Sequence, residues 1–520
     1  MHGGWRTAAR GRGAGSDSLM LPWMMLLSSA VRCAFAAVPK DRVTSLPGWP
    51  HPLASPIYSG YFTIPPTAPH TVPRHLHYVF IYSERAPATD PVMLWLNGGP
   101  GSSSLKGVFS QLGPYSLNDA SYGSTDGKDG LRLARNNATW NQFANILYLE
   151  QPAGVGFSFC NLSLHQKGVD NCDHSDGSVA ADNFALLLKF FDSGAFSEFR
   201  SNELYLCGVS YAGVYVTTLA GMIVGDPERR LNLTGITLGN PSFRWGTKEG
   251  GNLALAPQSV QGITELRVDM LGAHGQFSPT LYQQIKQSCT FFNNETVRPE
   301  LKCNALLSEM QAQVGGYDLY NIYDRCKLAG DDVSVDNRGT VHTSSLEQLL
   351  HSGLNSGEVP DDSRFGSCGQ EHALADYCNE PAVRAALNVP AQEQIGQYYV
   401  SGGFNSYAKD EHDTHQYYLQ MLTAGVRVLI YSGDIDNCLP YTGSLQWVQL
   451  LGLNETAGWR PWTVDGGRRM GGCKYPASPP LFLSYAAQIS HRNPFYCHPQ
   501  CNSHCAGFCC RRCDVRRRAA

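Results

Sequence analysis

The sequence lacks the features by which several classes of protein are usually recognised. Its 520 residues carry 40 lysines and arginines against 44 aspartates and glutamates, a net charge of -4, so no basic excess exists to attract nucleic acid. It contains no phosphate-binding glycine loop and no internal repeat, and beyond the N-terminal segment no apolar run long enough to span a bilayer. We therefore expect no nucleic-acid partner, no stable membrane span, no cofactor and no metal site.

The N-terminal segment is typical of a secretory signal peptide. Three arginines precede an apolar run at residues 19–31, and residues 34–36 (AFA) have the small-x-small form of a cleavage site. The run is short for a membrane anchor, which is the alternative. We predict a signal peptide over residues 1–36 and a protein of the secretory pathway, either secreted or lysosomal/vacuolar.

The glycosylation sequons and the cysteines are consistent with passage through the secretory pathway. Five N-x-S/T sequons occur, at Asn137, Asn161, Asn232, Asn294 and Asn454. In an oxidising compartment the 17 cysteines are expected to form disulfides rather than metal sites. Cys160 and Cys172 bracket a short loop and are a candidate pair. The pairing within a central group stays open: Cys289, Cys303, Cys326, Cys368 and Cys378.

The hydrophobic pattern predicts an α/β fold with a doubly wound, mostly parallel sheet. Five apolar runs that end in glycine or turn residues are typical of buried parallel strands, and helical patterns such as residues 178–191 lie between them. The alternation fades between residues 241 and 369 and then resumes. We predict a core in two parts (37–240 and 370–496), a cap or insertion over 241–369, and a Cys/Arg-rich tail at 497–520.

One short stretch, CGVSYAG at residues 207–213, indicates a nucleophilic serine. The G-x-S-x-G spacing occurs by chance, but here an apolar strand precedes it and an apolar helical pattern follows, which is the context of a nucleophile elbow. A simple Gly/Ser turn is the alternative. We expect Ser210 to be the nucleophile, with the Tyr211 amide as one oxyanion donor.

A serine nucleophile needs a base and an orienting carboxylate, and the oxyanion needs a second amide. Asp434 and Asp436 follow a late strand; we prefer Asp436 as the triad acid and Asp434 as a turn residue. The loop LWLNGGPGSSS, which contains residues 97–101, can bring backbone amides close to a ligand because it has consecutive glycines.

These motifs, in this order along the chain, resemble the serine carboxypeptidase family, which includes carboxypeptidase Y, cathepsin A and plant serine carboxypeptidase-like proteins. The likeness covers most of the chain after the signal peptide. It implies an α/β-hydrolase fold with a cap, and removal of single residues from peptide or protein C-termini, typically at acidic pH. By position it implies Ser210 and Asp436 in the triad and Gly99 with Tyr211 as the oxyanion hole. Asn97 and the Gly98 amide would hold the substrate's terminal carboxylate.

Two positions depart from the family pattern. The family commonly has glutamates where this chain has Val209 and Gln111, and such an acid paired with a substrate carboxylate must share a proton. We therefore predict a weaker grip on a free C-terminus and a pH optimum shifted upward. Ser102, where many members have cysteine, predicts that one family disulfide is missing.

The sequence contains one candidate for the base of the triad, His491. His491 lies 55 residues beyond Asp436 and Pro494 follows it at the spacing of the family's histidine segment, but the residues around it match poorly. The alternatives are a working base at His491 and an absent triad histidine. Among other histidines, a structural role is expected for His274, and disulfides or disorder are favoured over zinc at His498 and His504.

Three functional hypotheses follow from the sequence. The first is a serine carboxypeptidase acting on peptide or protein C-termini through an acyl-enzyme. The second is a catalytically impaired relative that binds or stabilises a partner, and the third is an acyltransferase that uses the same triad. A homodimer is an assembly that the sequence allows.

Overall fold

The computed structural model describes most of the chain between residues 39 and 486. The described residues are 39–68, 70–117, 121, 131–160, 172–192, 196–244, 260–289, 301–315, 319–323, 334–335, 341–342, 370–404, 406–411, 413–456, 458–464, 469–476 and 481–486. The predicted signal peptide, His491 and the Cys/Arg-rich tail lie outside them.

The strands include five that the apolar runs predict, namely β4, β7, β9, β10 and β14. In chain order the strands are β1 (Arg42–Val43), β2 (Ile57–Ile64), β3 (Arg74–Ile81), β4 (Val92–Leu96), β5 (Tyr115–Ser116), β6 (Ala134–Arg135), β7 (Asn145–Leu149), β8 (Asp173–Ser175), β9 (Leu204–Val209), β10 (Leu233–Gly239), β11 (Ser334–Val335), β12 (Val341–His342), β13 (Ser406–Ala408), β14 (Arg427–Gly433), β15 (Arg460–Val464), β16 (Arg469–Pro476) and β17 (Leu481–Ala486).

Eleven strands form one sheet in the order β1-β2-β3-β7-β4-β9-β10-β14-β17-β16-β15. The centre, from β7 to β17, is parallel throughout. Antiparallel strands flank it on both sides. The doubly wound, mostly parallel sheet predicted from the sequence is therefore confirmed, and the carboxyl ends of its central strands share one edge, where ligands of such sheets bind.

Along the chain, the described helices lie between the central strands. They are α1 (Asp176–Asp192), α2 (Ala212–Gly225), α3 (Val260–Ala273), α4 (Pro279–Ser288), α5 (Leu301–Val314), α6 (Gln370–Asn379), α7 (Pro381–Ala386), α8 (Gln392–Ile395), α9 (His415–Thr423) and α10 (Tyr441–Leu450). The helical pattern at residues 178–191 corresponds to α1, whose Ala180, Leu187 and Phe191 are buried. Within the described residues, no helix has the length and apolarity needed to cross a bilayer.

The sheet has a separate apolar core on each face, because side chains alternate along a strand. On β9, Leu204 and Leu206 pack with α1 and α2 on one side. Tyr205, Cys207 and Val209 pack with Trp95 and the residues of α6 on the other side, among a second set of buried side chains. We call these the α2 face and the α6 face. A third cluster joins α3, α4 and α5 to Ile435 in the loop after β14.

A buried ion pair fixes α1 to the antiparallel edge of the sheet. The guanidinium of Arg74 on β3 is fully buried and donates to both carboxylate oxygens of Asp182, at 2.7 and 2.8 Å. A bidentate pair of this kind satisfies both charges within the protein. Removing either partner alone would leave a buried, unpaired charge.

Two disulfides are described. Cys160 is bonded to Cys172, which confirms the pair expected from the sequence, and Cys289 is bonded to Cys303. Of the remaining central cysteines, Cys378 is a buried thiol, whereas Cys326 and Cys368 lie outside the described residues. His174 lies close to Cys160 and Cys172, but both sulfurs are already used in the disulfide.

A buried histidine makes stability depend on pH. His174 is 3% exposed; its Nε2 lies 2.9 Å from the Ala153 carbonyl oxygen, and within the described chain its Nδ1 has no partner. Burial lowers the pKa of His174 to about 4, because the charged ring would be desolvated, and the hydrogen bond to Ala153 only partly opposes this. In the unfolded chain the ring takes a proton near pH 6.5.

The folded state therefore binds fewer protons than the unfolded state between about pH 6.5 and pH 4. Stability from this group is complete above that window and is lost as the pH falls through it. From urea unfolding we expect His174 to account for a loss of up to about 3 kcal/mol between pH 7 and pH 4. His174→Gln should flatten that slope and the exposed His51→Gln should not; equal slopes for wild type and His174→Gln would refute this assignment.

Candidate active site

Ser210 occupies a sharp turn between β9 and α2. Its φ is 61°, a left-handed conformation that is uncommon for a residue with a side chain and typical of a nucleophile elbow. The flanking glycines are required by close packing: a Cβ on Gly208 would lie 2.7 Å from the Leu96 oxygen, and one on Gly213 would lie 2.8 Å from the Ser242 nitrogen. The sequence therefore folds so that Ser210 stands at the carboxyl edge of the sheet.

The glycine loop after β4 packs directly on this turn. A Cβ on Gly98 would lie 2.8 Å from both the Ser210 Cβ and the Val209 oxygen, so only glycine fits. Gly99 has a φ of 112°, which a residue with a side chain rarely adopts. This packing brings the backbone around Gly99 and the start of α2, with Tyr211, to one place beside Ser210.

Asp436 lies in the loop after β14, the second neighbour of β9 in the sheet. Its side chain is 0% exposed, and its Oδ1 accepts hydrogen bonds from the backbone N–H groups of Cys438 (2.8 Å) and Leu439 (3.0 Å). These bonds hold the carboxylate in one orientation. Asp434, the alternative acid, is partly exposed.

Asn240 links the serine turn to the loop that carries the acid, a role that sequence reasoning missed. The Ser210 N–H donates to the Gly239 oxygen at 3.1 Å. The residue after Gly239 is Asn240, which is fully buried. The Asn240 side chain accepts from the Gly433 N–H at 2.9 Å and donates to the Leu439 oxygen at 3.0 Å. The partners of Asn240 lie almost two hundred residues further along the chain.

Asn97, Gln111 and Val209 lie on the α6 face beside the serine. Asn97 and Gln111 are buried, and the Asn97 amide donates to the Gln111 side-chain oxygen at 3.1 Å. The Trp95 indole donates to the Asn97 oxygen at 2.8 Å. Val209 is 2% exposed and packs with the apolar side chains of that face. Residues 111 and 209, where the family commonly has glutamates, are therefore both uncharged in this chain.

A serine–histidine–carboxylate chain separate from Ser210 and Asp436 is buried next to the glycine loop. Ser59 Oγ lies 2.9 Å from His77 Nε2, and His77 Nδ1 lies 2.8 Å from a Glu150 carboxylate oxygen. All three residues are 0% exposed, and the Ser59 hydroxyl donates to the Leu387 oxygen at 2.7 Å. No substrate can reach a fully buried hydroxyl, so this chain is structural.

The buried Glu150 supports the glycine loop through Ser103. The Ser103 hydroxyl donates to the Glu150 carboxylate and accepts from the Tyr398 hydroxyl at 2.8 Å, while its N–H donates to the Val400 oxygen at 2.9 Å. These bonds fix the end of the loop that begins at Asn97. Sequence reasoning did not identify this support, because its partners lie far apart along the chain.

The remaining predicted positions are placed as follows. Ser102 faces Ser401 with the two hydroxyls 3.3 Å apart, so a serine pair is found at the position where a family cysteine is absent. The sequon residues Asn137, Asn232 and Asn454 are exposed, whereas Asn161 and Asn294 lie outside the described residues. His274 Nδ1 lies 2.8 Å from the Met270 oxygen at the end of α3.

Comparison with known proteins identifies the family. The family model for serine carboxypeptidases matches residues 47–503. The chain is 31% identical to serine carboxypeptidase 1 of Hordeum vulgare over 459 residues, 83% of this chain and 85% of that protein. It is also 31% identical to the lysosomal protective protein of Mus musculus over 467 residues, 85% and 87% of the two chains.

A solved structure shares the fold. Kex1(delta)p, a prohormone-processing carboxypeptidase from Saccharomyces cerevisiae, superposes with a TM-score of 0.65 at 16% identity, covering 91% of this chain and 96% of that one. The sheet is thus that of an α/β hydrolase, as the resemblance implied. Together with a family match that extends from residue 47 to residue 503, this leads to one conclusion: the chain belongs to the serine carboxypeptidase family.

Proposed function

We propose that the protein is an active serine carboxypeptidase that releases single residues from peptide or protein C-termini. Ser210 is the nucleophile, His491 is the base and Asp436 orients it. The observation that carries the proposal is the strained turn at Ser210, φ 61°, with the Gly98 backbone packed against it. A left-handed serine is costly and is retained where the surrounding structure and the chemistry require it.

The proposed reaction has two steps through an acyl-enzyme. Ser210 Oγ attacks the carbonyl carbon of the last peptide bond while His491 takes the hydroxyl proton. The N–H groups of Gly99 and Tyr211 stabilise the oxyanion. His491 then gives the proton to the leaving amine. A water molecule, deprotonated by the same histidine, attacks the ester carbon, and His491 returns that proton to Ser210 Oγ as the carboxylic acid product leaves.

The departing residue is held on the α6 face. Asn97 and the Gly98 amide donate to its terminal carboxylate, and Gln111 orients Asn97 through the 3.1 Å hydrogen bond. Gln111 and Val209 have no carboxyl group that would need a proton when the substrate's terminal carboxylate binds. Binding of that carboxylate therefore does not require acidic pH.

Hydrolysis of an N-blocked dipeptide is the direct test of this function. Purified protein should release the free C-terminal amino acid, and His491→Gln should lower kcat by at least about 10³-fold. Release without any effect of His491→Gln would remove that histidine from the mechanism. No release from a dipeptide or an acyl ester would favour a binding protein, and turnover of the ester alone would favour an acyltransferase.

Introducing a glutamate at residue 111, where the family commonly has one, should make kcat/KM depend on acidic pH. In Gln111→Glu, burial raises the pKa of the new carboxyl group, and this group must be protonated to bind beside the substrate carboxylate. Binding is then lost as the pH rises through that pKa. We expect kcat/KM of the variant to fall about 10-fold from pH 5 to pH 7 relative to wild type.

The exposed Gln142→Glu is the matched control and should keep the wild-type profile. A wild-type enzyme that already loses activity steeply above pH 5 would contradict the role given to Gln111, as would a Gln111→Glu profile identical to wild type.

The proposed function includes a location and a chain organisation. The protein enters the secretory pathway by a signal peptide over residues 1–36, is glycosylated at the exposed Asn137, Asn232 and Asn454, and acts outside the cell or in a lysosome or vacuole. A mouse relative is named a lysosomal protective protein, which supports that route. Residues 241–369 form the cap over a core made of residues 37–240 and 370–496.

A further inference from the structure

Two cationic side chains lie over the ring of the residue that follows the nucleophile. The Arg244 guanidinium carbon is 5.6 Å from the centre of the Tyr211 ring, and the Lys409 ammonium is 5.7 Å from it. These distances are within the range of cation–π attraction. The three residues come from the turn before α2, the segment after β10 and the segment after β13, so the fold rather than the local sequence brings them together.

Neither cation is neutralised within the part of the chain that the structure describes. No described carboxylate forms an ion pair with Arg244 or Lys409, and the Arg244 Nε is buried with no hydrogen-bond partner there. Asp176, whose charge acts on both cations, is 1% exposed and already accepts from the hydroxyls of Tyr211 and Tyr407, each at 2.8 Å, and from a backbone N–H at 3.0 Å.

The acids next to Lys409 are engaged elsewhere. Asp410 accepts from the Gly177 N–H in the first turn of α1, at 3.3 Å. Glu411 accepts from the Asp413 N–H and from the Tyr417 hydroxyl, both at 2.8 Å. Asp176 is the acid whose charge acts on both cations, so the summed charge of Arg244, Lys409 and Asp176 stays positive even when Asp176 is ionised.

The backbone of Arg244 is held by hydrogen bonds, and Lys409 is accessible to solvent. The Arg244 oxygen accepts from the Thr414 N–H at 2.9 Å, and the Arg244 N–H donates to the Thr414 hydroxyl at 3.1 Å. Lys409 directly follows β13, which pairs with β8, and is exposed. A preorganised charge costs little entropy on binding.

The Tyr211 ring that carries the two cations and the Trp95 indole that donates to Asn97 belong to the apolar cores on opposite faces of the sheet. Tyr211 and Tyr215 belong to the core of the α2 face. Trp95, which donates to Asn97, belongs to the apolar core of the α6 face. Neighbours of Gln111 along the chain belong to the same core. If the departing residue occupies the Asn97 side, the residue on the acyl side of the scissile bond is directed towards Tyr211.

We propose that Arg244 and Lys409 form an anion-binding subsite for the acyl side of the substrate, so that the enzyme prefers peptides whose penultimate residue is aspartate or glutamate. The subsite rests on the proposed carboxypeptidase function. The carboxylate lies between the guanidinium and the ammonium, with the Tyr211 ring as its floor, and the guanidinium offers the planar donor geometry that a carboxylate accepts.

Kinetics with matched substrates test the subsite. For N-blocked dipeptides with the same C-terminal residue, we expect kcat/KM for penultimate glutamate to exceed that for glutamine about 10-fold, with lysine lowest. The ratio should approach 1 in Arg244→Gln and in Lys409→Gln, and Arg244→Glu should favour lysine. Arg229→Gln, an exposed charge removal beyond the far end of α2, should leave the ratio unchanged.

Binding separates this inference from the proposed catalysis. In a Ser210→Ala background, calorimetry should give a Kd for the glutamate dipeptide about 10-fold lower than for the glutamine dipeptide, and adding Arg244→Gln should abolish the difference. That result without hydrolysis by wild type would sustain the subsite and overturn the carboxypeptidase function. Hydrolysis with a glutamate-to-glutamine ratio of 1 or less, or a ratio that neither neutralising variant changes, would overturn the subsite.

Discussion

Ser210→Ala is expected to lower kcat for hydrolysis of an N-blocked dipeptide by about 10⁵-fold while the fold remains intact. Alanine removes the attacking oxygen but keeps every backbone bond of the turn. The N–H of residue 210 still donates to Gly239, and its carbonyl still accepts from Gly213 and Ser242, both at 2.9 Å. The melting temperature should therefore stay close to that of wild type.

Two further variants sharpen this prediction. Ser210→Gly should be equally inactive but more stable by about 1 kcal/mol, because glycine adopts the 61° φ without strain. Ser242→Ala, three residues after the end of β10, should retain activity within a few-fold. Residual activity in Ser210→Ala above about a hundredth of wild type would show that another group is the nucleophile.

Asp436→Asn is the second large effect, with an expected loss in kcat of about 10⁴-fold. The amide keeps the size of the carboxylate, and its oxygen can still accept from the Cys438 and Leu439 N–H groups. It carries no charge to stabilise the imidazolium that forms when the serine is deprotonated, and its NH₂ group favours the wrong histidine tautomer.

Asp434→Asn is the matched control, since Asp434 is two residues earlier in the same loop and partly exposed. It should change kcat less than about 3-fold. The two variants together show which aspartate is the triad acid. A large loss of kcat in Asp434→Asn with a small loss in Asp436→Asn would reverse the assignment.

The central strands were predictable because burial on both faces leaves a clear local signal. VMLWL and NILYL are apolar at every position or nearly so, and both are central parallel strands, β4 and β7. The antiparallel edge was harder to predict. β2 reads IYSGYFTI, in which serine, glycine and threonine interrupt the apolar residues, and its partner β3 contains Arg74 and two histidines.

The serine turn was predictable for the same local reason, since glycine, strand and helix signals coincide at residues 207–213. Its surroundings were not. Asn240 acts through residues 433 and 439, and Glu150 acts through Ser103 and His77. Arg244 and Lys409 meet over Tyr211 although 165 positions separate them. No local pattern encodes such contacts, because the sheet order creates them.

Active-site labelling tests the central claim, that Ser210 is an activated nucleophile, most directly. Folded protein is treated with a serine-reactive fluorophosphonate and digested, and the adduct is located by peptide mass. We predict one adduct per chain, on Ser210, with proportional loss of peptidase activity and none in Ser210→Ala. An unlabelled Ser210, or an adduct on Ser59 of the buried Ser59–His77–Glu150 chain, would contradict the account.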